Sequence, residues 1–222
     1  MAVITISRQF GSGGDEIANR VCETLGYRFF DKRLMTQVAA EVGLSDSEIL
    51  DFSEDHYQTR SFLERLTAWR GSRTLGEART WSDAGGGVLA REVTKLDEAA
   101  GVSFVRGTIL AVYERGNVVI VGRGGQAVLK DKPGVLHVRI VAPYQARVQR
   151  LLERENFNPG GAKDTVLKHD RASAEYLKRF YDVDWEDPML YDLILNTNKY
   201  DVKSAAHIIV NAVGHLPTEK KE

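Results

Sequence analysis

The sequence contains one cysteine and no surplus of either charge. Cys22 cannot form an internal disulfide, and such thiol usage is typical of a reducing cytoplasm, which is the location we expect. Thirty basic residues against 31 acidic ones leave a formal net charge of -1, so no bulk field attracts nucleic acid or an anionic membrane. No run approaches the ~20 apolar residues that span a bilayer. We therefore expect no nucleic-acid or membrane partner, and any anion site has to be local.

Outside its middle third, the sequence alternates strand patterns with helix patterns. The chain has 222 residues, 43% of them hydrophobic, which suffice for one buried core. Periodicity predicts strands over residues 2–6, 27–30, 118–121, 135–141 and 190–195, and helices over residues 16–25, 109–114, 144–155, 164–180 and 202–213. The first strand is expected to be apolar on both faces. This alternation predicts an α/β protein with a doubly wound parallel sheet flanked by helices.

The middle third lacks a convincing strand. Residues 45–105 contain an arginine-rich stretch and the run Gly85-Gly86-Gly87, and we expect a helical insertion there. The core then comprises residues 1–44 and 106–216, and residues 217–222 form a short tail. A lid or a substrate-binding region is expected in an insertion of this kind.

A glycine-rich turn, Gly11-Ser12-Gly13-Gly14, joins the first predicted strand to the first predicted helix. Glycines let successive backbone N–H groups converge, and a helix N-terminus adds the positive end of its dipole, so this arrangement is typical of phosphate-binding loops. A tight glycine turn without a ligand is the alternative. The position between a strand and an amphipathic helix favours nucleotide phosphates.

Two positions near this turn depart from the P-loop pattern G-x-x-x-x-G-K-[ST]. Gly14 stands where the lysine is expected, and Asp15 stands where the hydroxyl that binds Mg²⁺ is expected. Positive charge for the phosphates then has to come from another residue. Arg8 is the nearest candidate, with a plain surface charge as the alternative. Asp15 either caps the helix or holds Mg²⁺.

Four segments of the chain resemble the cytidylate kinase-like family. They are residues 4–18, Phe29-Phe30-Asp31-Lys32, residues 119–124 and residues 137–143. Cytidylate kinases are P-loop enzymes that move the γ-phosphoryl group of ATP to CMP or dCMP. The resemblance implies a three-layer P-loop NTPase-type sheet, a helical nucleoside-monophosphate-binding insertion, and an arginine-bearing lid over about residues 155–182. It also implies ATP and Mg²⁺ as cofactors.

The same resemblance assigns roles to individual residues. The turn at Gly11-Ser12-Gly13-Gly14 would hold the ATP phosphates with Arg8 beside it, whereas Asp31 would lie near the acceptor nucleotide. Arg123 resembles the arginine of a Gly-Arg-Asp turn that faces the acceptor, so it would hold the acceptor phosphate, with a surface arginine as the alternative. The acid of that turn is Gly124 here.

Arginines on the two helices after residue 143 form the predicted lid. Several guanidinium groups converging on a transferring phosphoryl group would neutralise its charge. The catalytic candidates are Arg147, Arg171 and Arg179, and the same helices also bear Arg150, Arg154, Asp170 and Lys178. A solvated helix face is the alternative for each of them. By resemblance to the last strand of nucleoside-monophosphate kinases, Asn196 and Thr197 bracket adenine, with ordinary turn residues as the alternative.

Taken from the sequence, the favoured function is a nucleoside-monophosphate kinase that binds small nucleotides, as a monomer or a homodimer. Transfer would occur in line, through positioning and charge neutralisation. The alternative is a non-catalytic nucleotide-binding regulator, because the absent lysine and hydroxyl remove transition-state stabilisation. A nucleic-acid-binding module is disfavoured by the near-neutral charge.

Overall fold

A computed structural model describes residues 1–31, 35, 98–154 and 158–217. In chain order its elements are β1 Val3–Arg8, α1 Gly14–Leu25, β2 Arg28–Phe30, α2 Glu98–Arg115, β3 Val118–Val121, α3 Gly125–Val128, β4 Val135–Val141, α4 Tyr144–Arg154, α5 Pro159–Tyr181, β5 Leu193–Asn196 and α6 Val202–Val213. A 3₁₀ helix, Pro188–Leu190, lies between α5 and β5. None of the helices in these ranges has the length and apolar character needed to cross a membrane.

The strands form one parallel sheet with the order β2-β3-β1-β4-β5. The central strand β1 pairs with β3 on one side, where Ile6 lies opposite Val121, and with β4 on the other, where Ser7 lies opposite Arg139. The direction of chain progression reverses at β1, so its carboxyl end is the switch point at which ligands bind in open α/β sheets. The parallel α/β sheet predicted from the sequence is confirmed.

The two faces of β1 differ in polarity. Ile4 and Ile6 belong to an apolar layer formed with α1 and α6. The alternate residues Thr5 and Ser7 are just as buried and face the other way, toward α3 and the segment after α5. The expectation that the strand over residues 2–6 is apolar on both faces is therefore wrong at Thr5, and Ser7 lies beyond that predicted range. Their hydroxyls are hydrogen-bonded, which makes the burial of polar groups tolerable.

Several predicted boundaries differ from the observed ones. The elements β3, β4 and α6 match their predicted ranges, whereas α2 begins at Glu98 and is much longer than the predicted helix. The predicted division between residues 105 and 106 falls inside α2, and it stays a prediction because residues 36–97 lie outside the described residues. The last strand begins at Leu193 because Asp187 and Pro188 start a 3₁₀ helix, in which the Met189 N–H donates to Asp187 Oδ1 at 2.9 Å.

Candidate functional site

The loop between β1 and α1, residues 9–13, has the backbone geometry of an anion-binding site. We call this loop, together with the first turn of α1, the cradle. Gly11 and Gly13 have φ angles of 77° and 82°, in the left-handed region that favours glycine. A Cβ on Gly11 would lie 2.8 Å from Leu151 Cδ1 and 3.0 Å from the Arg147 carbonyl oxygen, so a side chain is excluded there. Hydrogen bonding within α1 begins with the Ile17 N–H, which donates to the Gly13 carbonyl at 3.1 Å. The earlier N–H groups of α1 thus have no acceptor inside the helix, which is the arrangement that binds phosphate.

The side chain of Arg8 occupies the space above Gly14. A Cβ built on Gly14 would lie 2.5 Å from Arg8 Cβ and 2.8 Å from Arg8 Cγ. The Arg8 Nε donates to Asp15 Oδ1 at 3.0 Å, and only 15% of the Arg8 side chain is exposed. The guanidinium group is therefore held at the first turn of α1, beside the position where a P-loop carries its lysine. Contact between Arg8 and the nucleotide phosphates stays a prediction.

Arg147 and Asp170 support the cradle from behind. Arg147 Nη1 donates to the Phe10 carbonyl at 3.0 Å and to Asp170 Oδ2 at 2.7 Å, while its Nε donates to the Ala142 carbonyl at 3.0 Å. Asp170 Oδ1 accepts the Phe10 N–H at 3.1 Å, and the Phe10 ring stacks on His169 with centroids 4.1 Å apart. The backbone of Phe10 is thus fixed at both of its polar groups. Contact between Arg147 and phosphate stays a prediction, and the structure gives this residue a bracing position.

Arg150 and Thr197 support the next part of the loop. Arg150 Nη1 donates to the Ser12 carbonyl at 3.0 Å, and its Nη2 donates to the Thr197 carbonyl at 2.6 Å. The Thr197 hydroxyl donates to the Ser12 carbonyl at 2.7 Å. Thr197 is 5% exposed and lies behind the cradle, whereas Asn196 accepts the Asn198 N–H at 3.0 Å in a local turn. An adenine-contacting role for these two residues stays a prediction.

Asp31 and Arg123 follow the ends of neighbouring strands. Phe30 of β2 pairs with Ile120 of β3. Asp31 and Arg123, which follow these two strands, therefore lie at the carboxyl edge of the sheet. Arg123 has a left-handed φ of 62° and is 3% exposed. A Cβ on Gly124 would lie 2.5 Å from the Tyr181 ring, so this position has no room for the acid of the Gly-Arg-Asp turn. The predicted proximity to an acceptor is compatible with this placement and stays a prediction.

Arg171 and Arg179 lie on α5 away from the cradle-bracing contacts. The Arg171 Nε pairs with Glu175 Oε1 at 2.7 Å, and 80% of the Arg171 side chain is exposed. The Arg179 guanidinium lies 5.8 Å from the centre of the Phe180 ring. Of the catalytic candidates on the lid helices, Arg147 contacts the loop through the Phe10 carbonyl. Catalytic roles for Arg171 and Arg179 stay predictions.

Two supports of the cradle were predicted as residues of the lid helices and not as contacts of the loop. Asp170 binds the Phe10 N–H across 160 positions of the sequence, and Arg150 binds the Ser12 carbonyl across 138 positions. Such contacts leave no local pattern in the sequence. The spacing of three residues puts Arg147 and Arg150 on one face of α4. This spacing is equally typical of arginines that bind phosphate and of arginines that hold a neighbouring loop in place.

The described residues offer little for a metal ion held by the protein alone. No group of three or more His, Cys, Asp or Glu side chains that could bind a metal occurs among them. The first turn of α1 carries two carboxylates, Asp15 and Glu16. The Asp15 side chain is 63% exposed, and its Oδ1 is bonded to Arg8. Mg²⁺ commonly enters such sites on the phosphates of its nucleotide with one or two carboxylates, and this donor set fits that mode.

The sequence is similar to a known protein family and to individual enzymes. A sequence profile of the cytidylate kinase-like family matches residues 3–199. The cytidylate kinase of Pyrococcus horikoshii is 24% identical over 215 residues, which cover 96% of this chain and 89% of that enzyme. The cytidylate kinase of Methanocaldococcus jannaschii is 31% identical over 108 residues, which cover 47% of this chain and 60% of that enzyme.

Solved structures support the same fold. An uncharacterised protein from Eubacterium ventriosum superposes with a TM-score of 0.64 at 21% identity, covering 97% of this chain and 99% of that one. A gluconokinase from Sinorhizobium meliloti superposes with a TM-score of 0.51 at 9% identity, covering 96% of this chain and 91% of that one. At these identities the likeness shows the fold, which is the P-loop NTPase-type α/β fold.

Proposed function

The chain belongs to the cytidylate kinase-like family, and from this membership and the geometry of the cradle we propose that it transfers the γ-phosphoryl group of ATP to CMP, dCMP or a related nucleotide. One observation carries the proposal further than the family does. Arg8 lies over Gly14, where a P-loop lysine would begin, and so restores a positive charge at the cradle. A phosphoryl-transfer site needs such a charge because the reaction is catalysed by positioning and electrostatic stabilisation.

The ATP phosphates would lie on the turn Gly11-Ser12-Gly13-Gly14 at the N-terminus of α1, where the N–H groups of residues 14–16 have no acceptor inside the helix. Arg8 is always protonated and would contact the oxygen atoms of the β- and γ-phosphates. Mg²⁺ bound to these phosphates would neutralise part of their charge, with Asp15 as the carboxylate nearest to the start of α1. Arg147, Arg150 and Thr197 would keep the loop in its phosphate-binding shape.

The acceptor would lie at the carboxyl edge beside β1. Arg123 would hold its phosphate and Asp31 would lie near its sugar or base, since these residues follow β3 and β2 on one side of the cradle. A hydroxyl or phosphate oxygen held in line with the γ-phosphoryl group reacts without a covalent enzyme intermediate. The residues of the predicted insertion remain candidates for base recognition, and residues 45–97 of it lie outside the described residues.

A non-catalytic nucleotide-binding regulator is the second candidate. The observation that favours it is the replacement of two P-loop groups, a lysine by Gly14 and a hydroxyl by Asp15. A cradle without these groups would still bind phosphate through its backbone. The two candidates therefore differ in turnover and agree in ATP binding.

An acceptor screen separates the candidates. ADP release from ATP and Mg²⁺ is measured with CMP, dCMP, UMP, AMP and GMP, alongside calorimetry of ATP binding on the same sample. Release that depends on an acceptor establishes the kinase and names its base. ATP binding without acceptor-dependent release favours the regulator, and absence of both signals contradicts the nucleotide cradle itself.

A further inference from the structure

A buried polar stripe crosses two neighbouring strands on the face of the sheet opposite α1. Its members are Thr5 and Ser7 of β1 and His137 and Arg139 of β4, exposed by 1%, 0%, 7% and 4%. Thr5 lies opposite His137, and Ser7 lies opposite Arg139, in the parallel register. Strands covered on both faces normally carry apolar residues at such positions. The stripe therefore needs an explanation beyond packing.

Arg139 is the member with the least satisfied polar group. Its one hydrogen bond to a described residue runs from Nη1 to the Tyr191 hydroxyl at a long 3.5 Å, and no carboxylate in the described ranges forms an ion pair with it. A guanidinium has five N–H donors, and burying such a cation without an anion is costly. An apolar side chain of similar length would fill this position at lower cost. The charge at residue 139 thus points to an anion that joins it.

Two buried aromatic residues fix the orientation of this guanidinium. It lies 4.6 Å from the centre of the Trp185 ring and 5.3 Å from the centre of the Tyr191 ring. The Trp185 Nε1 donates to the Ser7 hydroxyl at 2.8 Å, and the Tyr191 hydroxyl donates to the Trp185 carbonyl at 2.9 Å, so both rings are held in place. Contacts with rings use no hydrogen bond of the guanidinium, so the Nε and Nη2 groups of Arg139 remain for a bidentate partner.

The position of Arg139 relates it to the transfer reaction. Ser7, its partner across the sheet, directly precedes Arg8 and the cradle, and Arg139 lies on β4 whereas Arg123 follows β3 on the other side of β1. We infer that Arg139, framed by Trp185 and Tyr191, binds an oxyanion of the phosphoryl acceptor, either a phosphate or a carboxylate. This inference rests on the proposed function, and it adds a recognition position on the β4 side of the cradle.

The Trp185 indole provides a direct reporter of binding. Its Nε1–H signal in a ¹H–¹⁵N spectrum is assigned by its disappearance in Trp185→Phe, and the wild-type protein is titrated at constant ionic strength with sodium phosphate, sodium malonate and CMP. We expect a saturable shift of this signal with at least one of the three. A shift with phosphate but not with malonate identifies a phosphate group as the ligand, and the reverse result identifies a carboxylate. A shift with CMP shows that the nucleotide carries the oxyanion.

Arg139→Met keeps the length and the ring contacts of the side chain and removes its charge. The dissociation constant measured through Trp185 should rise at least about tenfold in this variant, because hydrogen bonds to charged groups are lost. Arg20→Met, on the exposed surface of α1, should titrate like the wild type. A role confined to packing would leave the affinity of Arg139→Met unchanged, and that result would overturn the inference.

The inference stays testable if Arg139→Met does not fold. Arg139→Lys retains a charge with a different hydrogen-bonding geometry and should also bind more weakly. Absence of a saturable shift in the wild-type protein with all three probes contradicts the inference without any variant. These titrations contain no ATP and need no turnover, so a failure of the kinase proposal in the acceptor screen is distinguishable from a failure of the Arg139 site.

Discussion

The Arg8 side chain fills the space that a side chain at Gly14 would need: a Cβ on Gly14 would lie 2.5 Å from the Cβ of Arg8. In a P-loop the first of these positions is a glycine and the second is the lysine. The chain thus carries its cation at the end of β1 and its glycine at the start of α1, and the contact makes each residue depend on the other. In the proposed function, this exchange would let a loop without the usual lysine present a positive charge to phosphates.

Gly14→Ala should destabilise the fold because Arg8 Cβ belongs to β1 and cannot rotate away. We expect a loss of about 1–3 kcal/mol in the free energy of unfolding, the range typical of overpacking. The loss should shrink in an Arg8→Gly background, which removes the opposing Cβ. Urea unfolding of the two single variants and the double variant measures the coupling. Gly107→Ala is the control, because nothing lies within 4 Å of a Cβ there.

Equal costs of Gly14→Ala with and without Arg8 would show that the two positions do not interact, and the exchange described above would then be wrong.

Asp170→Asn should loosen the cradle at Phe10. The variant removes the charge that pairs with Arg147 at 2.7 Å and weakens the acceptor of the Phe10 N–H. We expect weaker ATP binding in calorimetry and a loss of about 1–3 kcal/mol in the free energy of unfolding. Glu23→Gln, in an exposed pair with Arg20, should change neither. ATP affinity equal to that of the wild type would show that Asp170 is no support of the cradle.

Thr197→Val should remove the hydroxyl that binds the Ser12 carbonyl while keeping the shape of the side chain. The Arg150 Nη1 also donates to this hydroxyl at 2.9 Å, so two hydrogen bonds are lost. We expect a loss of about 1–2 kcal/mol in the free energy of unfolding, and weaker ATP binding. Thr197→Ser keeps the hydroxyl and should restore ATP affinity. If the Thr197→Val and Thr197→Ser variants bind ATP with the same affinity, the hydroxyl contributes nothing to the cradle.

Acid should destabilise the fold through His137. Burial lowers the pKa of His137 below 6.5, although the nearby Asp192 carboxylate acts to raise it. The unfolded state then binds more protons than the folded state below pH 6.5, so the free energy of unfolding falls as the pH drops through that value. His137→Gln should flatten this dependence in urea unfolding between pH 7.5 and pH 5, and the exposed His207→Gln should leave it intact. An unchanged slope in His137→Gln would contradict the assignment.

The sequence predicted the parts of the molecule that depend on local patterns. The strands at Val118–Val121 and Val135–Val141 and the helix at Val202–Val213 appear where periodicity placed them, and the β1 turn joins a strand to a helix as expected. Periodicity is a property of residues close together in the sequence, so it can be recognised without knowledge of the fold. The short helix α3 escaped prediction because four residues after a glycine turn show no period.

The contacts that hold the site could not be predicted from the sequence. Arg147 and Asp170 were assigned to a lid from the number of arginines on two helices, but their shared contact with Phe10 depends on how α4 and α5 pack against the loop. The Arg139 stripe was concealed for a similar reason. Its alternation of polar and apolar residues becomes informative only when both faces of the sheet are known to be covered.

Turnover in Arg8 variants tests the account most directly. With ATP, Mg²⁺ and the acceptor found in the screen, Arg8→Ala should lower kcat by at least about 100-fold, a loss typical of removing one transition-state contact. The Cβ over Gly14 remains, and the Asp15 carboxylate that loses its partner is 63% exposed, so the melting temperature should change little. Arg20→Ala should keep wild-type turnover. An Arg8→Ala protein as active as the wild type would contradict the claim that Arg8 supplies the missing charge.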